Sequence, residues 1–168
     1  TRRSSDLSLV EVKPAGANET VESANGTVVR IVYRSTSGVD GALTEVSGLV
    51  AVPPGEPPRG GWPIVSFGHE MTGVLGKCAP SLAPDFWGYG QALATLISRG
   101  FVVALSDFQG LGIPDAAHSV VDAATLGNNL IDAARAVRRV VPSTSTKWAA
   151  FGVGEGGLAA WSAAERAG

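Results

Sequence analysis

The segment Trp148-Ala149-Ala150-Phe151-Gly152-Val153-Gly154-Glu155-Gly156-Gly157-Leu158 runs from an apolar stretch through a glycine-dense turn into a helical pattern. The four residues before Gly152 read as a buried strand, and a helix is expected to begin near Leu158. A strand–turn–helix unit places its turn at the carboxyl end of a strand, where open α/β sheets carry their chemistry. Two chemistries fit this turn. Gly152, Gly154 and Gly157 satisfy G-x-G-x-x-G, whose backbone N–H groups can approach a dinucleotide pyrophosphate. Gly152-Val153-Gly154-Glu155-Gly156 also outlines a nucleophile elbow, G-x-S-x-G, with Gly152 and Gly156 as its flanking glycines, Gly154 at the serine position and Gly157 small enough for close helix packing. The dinucleotide fingerprint wants an acidic residue about 20 positions further on, and the chain as given stops at Gly168. It also normally opens its fold, whereas here the motif comes last.

Outward from this turn, strand and helix patterns alternate. Phe101 to Leu105 is an unbroken apolar run, the mark of a strand covered on both faces. Pro63 to Phe67 is a second short apolar strand, leading into Gly68-His69-Glu70. Between them, Asp85 is expected to cap a helix with a Tyr89, Leu93, Leu96, Ile97 stripe that ends at Gly100. Ser119 is expected to open the longest helix, with Leu126, Leu130, Ala134, Val137 and Val141 inward and Pro142 as its stop. Val28–Tyr33 and Leu43–Val52 precede all of this as an antiparallel strand pair, closed by the Pro- and Gly-rich loop 53–61. Residues 1–26 lack sustained periodicity and read as an N-terminal arm. The fold class is α/β: a mostly parallel sheet with helices on both faces and a leading antiparallel pair, occupying residues 27–168 as part of a single domain.

The composition excludes several classes. With 45% hydrophobic and 17% charged residues, the 168-residue chain can bury a core. A net charge of -2 and no long basic run argue against a nucleic-acid partner. No apolar stretch reaches 18 residues, so no membrane span is expected. Residues 1–26 carry no signal-peptide pattern, and a first residue other than Met is compatible with a leader removed earlier. Cys78 is the single cysteine and the two histidines are His69 and His118, so no cofactor and no metal site are expected.

Three motifs in order carry a resemblance. Gly68-His69-Glu70-Met71-Thr72-Gly73 with Cys78-Ala79-Pro80-Ser81 resembles the third-strand loop of the secretory lipase family, G-H-G-T-T-G then C-A-P-S. Asp107-Phe108-Gln109-Gly110-Leu111-Gly112 is similar to that family's D-Y-x-G-L-G. Gly152 to Gly157 resembles its elbow, G-x-S-Q-G-G, over a region that spans roughly residues 28–168. The resemblance implies an α/β-hydrolase fold, here its N-terminal half, and hydrolysis of carboxylic esters, acylglycerols among them, outside the cell or in its envelope. It implies an oxyanion hole from backbone N–H groups near His69 and Glu70 and from that of Glu155. It also implies that Cys78 pairs with a cysteine further downstream.

The departures are chemical. Gly154 has no hydroxyl, and in a well-studied serine hydrolase loss of the nucleophile costs about 10⁶-fold in turnover. The family's acid and histidine lie beyond the elbow, so the C-terminal half of the same protein is the expected partner. Inactivity as written follows, with Gly154 either natural or an engineered replacement. Two other readings stand beside it: a non-catalytic lipid-binding or interaction protein on the same frame, and an oxidoreductase using Gly152, Gly154 and Gly157. Among single residues, Asp107 is either part of the site or a turn former, and His118 a loop or capping residue. Glu155 is either a base or a complement to the helix dipole. Trp87, Tyr89 and Trp161 read as core.

Overall fold

The computed structural model describes residues 9–114 and 116–167. Among these residues six strands, β1 (Leu9–Pro14), β2 (Thr27–Thr36), β3 (Leu43–Val52), β4 (Trp62–Gly68), β5 (Val102–Ser106) and β6 (Thr144–Gly152), form one sheet in the order β1-β2-β3-β5-β4-β6. Among the described residues, four α-helices accompany them: α1 (Glu19–Ser23), α2 (Gly90–Ser98), α3 (Ala123–Val140) and α4 (Glu155–Arg166). The expected pair is present, β2 lying antiparallel to β3 from Thr27↔Val52 to Thr36↔Leu43. The parallel ladders are β4–β5 and β4–β6, while β3 meets β5 antiparallel, so the sheet is mixed.

Helices cover both faces, and the strand period of two sorts the side chains between them. On β5, Val102 and Ala104 join Ala133, Ala134 and Val137 of α3, whereas Val103 and Leu105 join Leu93 and Ile97 of α2. A third cluster seats α4 on α3, through Leu126, Leu130, Ile131, Ala159 and Ala163.

Several expectations change. Residues 1–8 of the expected arm lie outside the described residues. Leu9–Pro14 pairs antiparallel with β2, and Asn18 caps α1 by accepting the Val21 N–H at 3.2 Å. A short strand needs only a partner edge, and β2 supplies one without strong periodicity in β1 itself. Asp85 caps a 3-10 turn, Phe86–Gly88, and α2 starts later, at Gly90. The long helix starts at Ala123, because Asp122 rather than Ser119 accepts the N-terminal amide, that of Thr125 at 2.7 Å. The last helix begins three residues before Leu158, at Glu155. β6 is not buried on both faces. Trp148 and Ala150 pack toward α3 and α4, but Phe151 is 51% exposed, since β6 lies at the sheet edge with its α2-side face open. Trp87 and Trp161 are exposed rather than core. Trp87 sits in a left-handed turn (φ 53°), and Trp161 lies on the outer face of α4, donating to Glu165 at 3.0 Å.

Candidate functional site

Register assembles the site. Gly68, the last residue of β4, pairs with Ser106 at the end of β5 and with Gly152 at the end of β6. The three loops that follow, beginning at His69, Asp107 and Val153, therefore leave the sheet side by side at one edge. These are the three loops that carry the motifs.

The turn from β6 into α4 is very tight. The Gly156 N–H donates to the Val153 carbonyl at 2.9 Å, and Gly154 adopts φ 56°, ψ -122°, a conformation strained for any residue with a side chain. Close approach explains the neighbouring glycines. A Cβ on Gly156 would lie 1.9 Å from the Gly68 carbonyl oxygen, and one on Gly152 would lie 2.1 Å from that of Gly156. Gly157 has no such need: a Cβ there would meet the Gly152 oxygen at 3.6 Å, ordinary contact. The close-packing role expected of Gly157 falls to Gly156 because that residue faces the end of β4. At Gly154 itself a Cβ would stand 3.4 Å from Glu70 Cγ and 3.6 Å from Glu70 Cβ, so a side chain has room. Gly154 is exposed to solvent.

The expected oxyanion residues flank this point. Glu155 is the first residue of α4, where an amide has no intrahelical acceptor. The Glu70 N–H, in contrast, donates to the Tyr89 hydroxyl at 2.9 Å. His69 is fully buried. Its Nδ1 lies against the Glu70 carbonyl and its Nε2 is 3.2 Å from that of Asp107, with the ring 4.9 Å from Phe108. Both ring nitrogens face backbone carbonyls, so His69 pins the loop after β4 to the loop after β5.

Asp107 is fully buried and ties two motifs together. It accepts the Ser81 N–H at 2.8 Å, the Ser47 hydroxyl at 2.6 Å and the Ser81 hydroxyl. Burial pushes its pKa up, against the lowering effect of these hydrogen bonds and of His69. Arg30 completes the lacing by donating to Ser81 Oγ at 3.0 Å and to the Gly112 carbonyl at 2.9 Å. Asp107 thus holds the Cys78–Ser81 segment in place. Ser47 and Arg30 carried no signal in the sequence, because both come from the leading strand pair. Cys78 is half-buried, and its sulfur is unpaired among the described residues.

Glu155 and His118 form a buried pair. Glu155 Oε2 is 3.3 Å from His118 Nε2, and Glu155 Oε1 accepts the Val121 N–H at 3.1 Å. The other nitrogen of His118, Nδ1, is 2.8 Å from the Gln109 carbonyl. Both side chains are at most 2% exposed. Burial pulls the His118 pKa down, but hydrogen bonds to Glu155 and Gln109, with the Glu155 charge, outweigh it and the pKa is raised. For Glu155 burial acts upward and is outweighed by the His118 and Val121 hydrogen bonds and by the charges of His118 and His69, so its pKa is lowered. Among the described residues there is no group of three or more metal-ligating side chains, and no helix is long and apolar enough to cross a membrane.

Neither protein-family models nor curated proteins match the sequence. Solved structures do. A single-residue variant of the rice cell wall degrading esterase LipA from Xanthomonas oryzae superposes with a TM-score of 0.73 at 23% identity, over 92% of this chain and 44% of that one. A Legionella pneumophila protein described as a hydrolase gives 0.72 at 28% identity, over 90% and 45%. Candida antarctica lipase A gives 0.72 at 19% identity, over 93% and 37%. The architecture is that of the α/β-hydrolase fold, in part. This chain spans less than half the length of each of these proteins.

Proposed function

We propose that this chain is the elbow-bearing part of a carboxylic-ester hydrolase of the lipase and esterase kind, with Gly154 at the position of the nucleophile. The observation that carries the reading is the conformation of Gly154, φ 56° and ψ -122°, between a parallel strand and a helix N-terminus. It stands beside Glu70, at the end of the neighbouring strand. A serine there would present its hydroxyl at the strand edge. The amides of Glu70 and Glu155 would receive the oxyanion, a substrate oxygen displacing the Tyr89 hydroxyl from the Glu70 N–H. With glycine no acyl-enzyme forms, and turnover by that route is blocked.

The acid and histidine would come from the C-terminal half of the same protein. That half would also cover the open edge of β6 and the apolar groove of about 570 Å³ between Phe67, Tyr89, Leu96, Phe151 and Val153. A lipid or other ester is the proposed ligand, and an extracellular or cell-envelope location belongs to the same reading. Cys78 is proposed to pair within that half. The dinucleotide reading is disfavoured by Gly157, where the third glycine of that motif would serve close helix–strand packing and this one makes ordinary contact.

The test is hydrolysis of a short p-nitrophenyl ester by the complete gene product beside its Gly154→Ser variant. Activity in the variant alone supports the reading. Two folded, inactive proteins would replace it with a non-catalytic lipid-binding role, and activity in the unaltered protein would remove Gly154 from its assigned place.

A further inference from the structure

We propose that His118 is a positioning residue: paired with Glu155, it latches the segment 116–121 onto the first turn of α4 and so holds the elbow's amide in place. Three contacts make up this latch. Glu155 bridges His118 and the Val121 N–H with its two oxygens, while His118 bridges Glu155 and the Gln109 carbonyl with its two nitrogens. The latch thereby joins three pieces of chain: the loop after β5, the lead-in to α3 and the start of α4. Val120 and Val121 are exposed, and Val121 has φ 50°, a conformation that a β-branched residue adopts only when its surroundings impose it. Gly110 packs under the same segment, since a Cβ there would lie 2.1 Å from the His118 backbone nitrogen.

The charge state decides whether all three contacts can be made. Two acceptors, the Glu155 carboxylate and the Gln109 carbonyl, face the two nitrogens of one imidazole. Only the doubly protonated ring donates to both. The other titratable group acting on the pair is His69, from the loop after β4. His118, whose pKa is raised, contributes fully below the ordinary imidazole range, and this contribution is lost as the pH rises through its folded value. Glu155, whose pKa is lowered, contributes above the ordinary carboxylate range, and this is lost as the pH falls through its folded value. The latch is therefore closed in the window between the two and opens toward alkaline pH. Its bearing on an oxyanion donor rests on the reading of Gly154 given above; the latch itself does not.

Glu155→Gln separates this role from simple packing. A glutamine can accept from Val121 and donate to a neutral His118, which then donates to Gln109. Every contact is met with His118 neutral, and the protonated ring is opposed by the amide. Hydrogen exchange of the peptide covering 117–122, corrected for intrinsic rate, is measured from pH 5 to pH 9 in both proteins, with α3 as the folded control. In the unaltered protein protection should fall as the pH rises past the imidazole range, by at most about tenfold per pH unit, the limit for one proton. In Glu155→Gln the trend should vanish or invert. The same profile in both proteins, or no pH dependence in the unaltered one, overturns the proposal. Because exchange is read without substrate, its result is independent of the ester-hydrolysis test, and either reading can fail alone.

Discussion

Asp107 and Ser81, 26 positions apart, meet through both the amide and the hydroxyl of the serine, with the aspartate fully buried and the serine nearly so. The relationship fixes the segment after Cys78 to the end of β5, and it leaves a carboxyl group buried beside hydroxyls that can serve either of its protonation states.

A pH dependence of stability follows from this pair. Burial raises the Asp107 pKa in the folded state above its ordinary value, so the native protein holds a proton there that the unfolded chain has released. Where the native state binds more protons, stability falls as pH rises. The fall should begin at the ordinary carboxylate range and end at the raised folded value. Asp107→Asn keeps an acceptor for the Ser81 amide and offers donors to the hydroxyls, so it should flatten that part of the profile. Urea unfolding of both proteins across a pH series measures it.

The glycines around the elbow should behave differently from one another. Gly156→Ala drives a methyl group into the Gly68 carbonyl and should cost about 3 kcal/mol or more, since backbone on both sides must shift. Gly157→Ala meets only ordinary contact within α4 and should be neutral, or stabilising by up to about 1 kcal/mol. Chemical denaturation midpoints of the two variants decide this.

Gly154→Ala and Gly154→Ser should share a cost of about 1–3 kcal/mol that comes from the backbone, not from a clash. Equal destabilisation in the two, by thermal melting, is the expected result. If serine alone gains ester hydrolysis in the complete protein, strain and chemistry are separated at one position.

Tyr89→Phe removes the acceptor of the Glu70 N–H without emptying the apolar space beside Phe67. The Glu70 amide should then exchange faster while the protection of α2 stays unchanged. Unaltered exchange at Glu70 would mean that the hydroxyl does not hold this amide in solution.

Local pattern carried much of the fold. The long amphipathic helix is written in a period of 3.6, the leading pair in β-branched residues bounded by turns, and the strands before Gly68 and Asp107 in short apolar runs; none of these needs knowledge of neighbours. The strand–glycine–helix turn at Gly152 to Gly157 was legible too, as a short-range signal. Tertiary pairing decided the rest. β1 became a strand because β2 offered it an edge, and β6 kept an open face because it lies at the sheet margin. The need for glycine at Gly68, Gly152 and Gly156 arises where two strands end in register, at Gly68↔Gly152, under the first turn of a helix. His118 and Glu155 are 37 residues apart, and nothing in either local sequence announces the other. Periodicity records which face a residue turns to the core; which distant residue it meets there depends on strand order and register, and these exist only once the chain has folded.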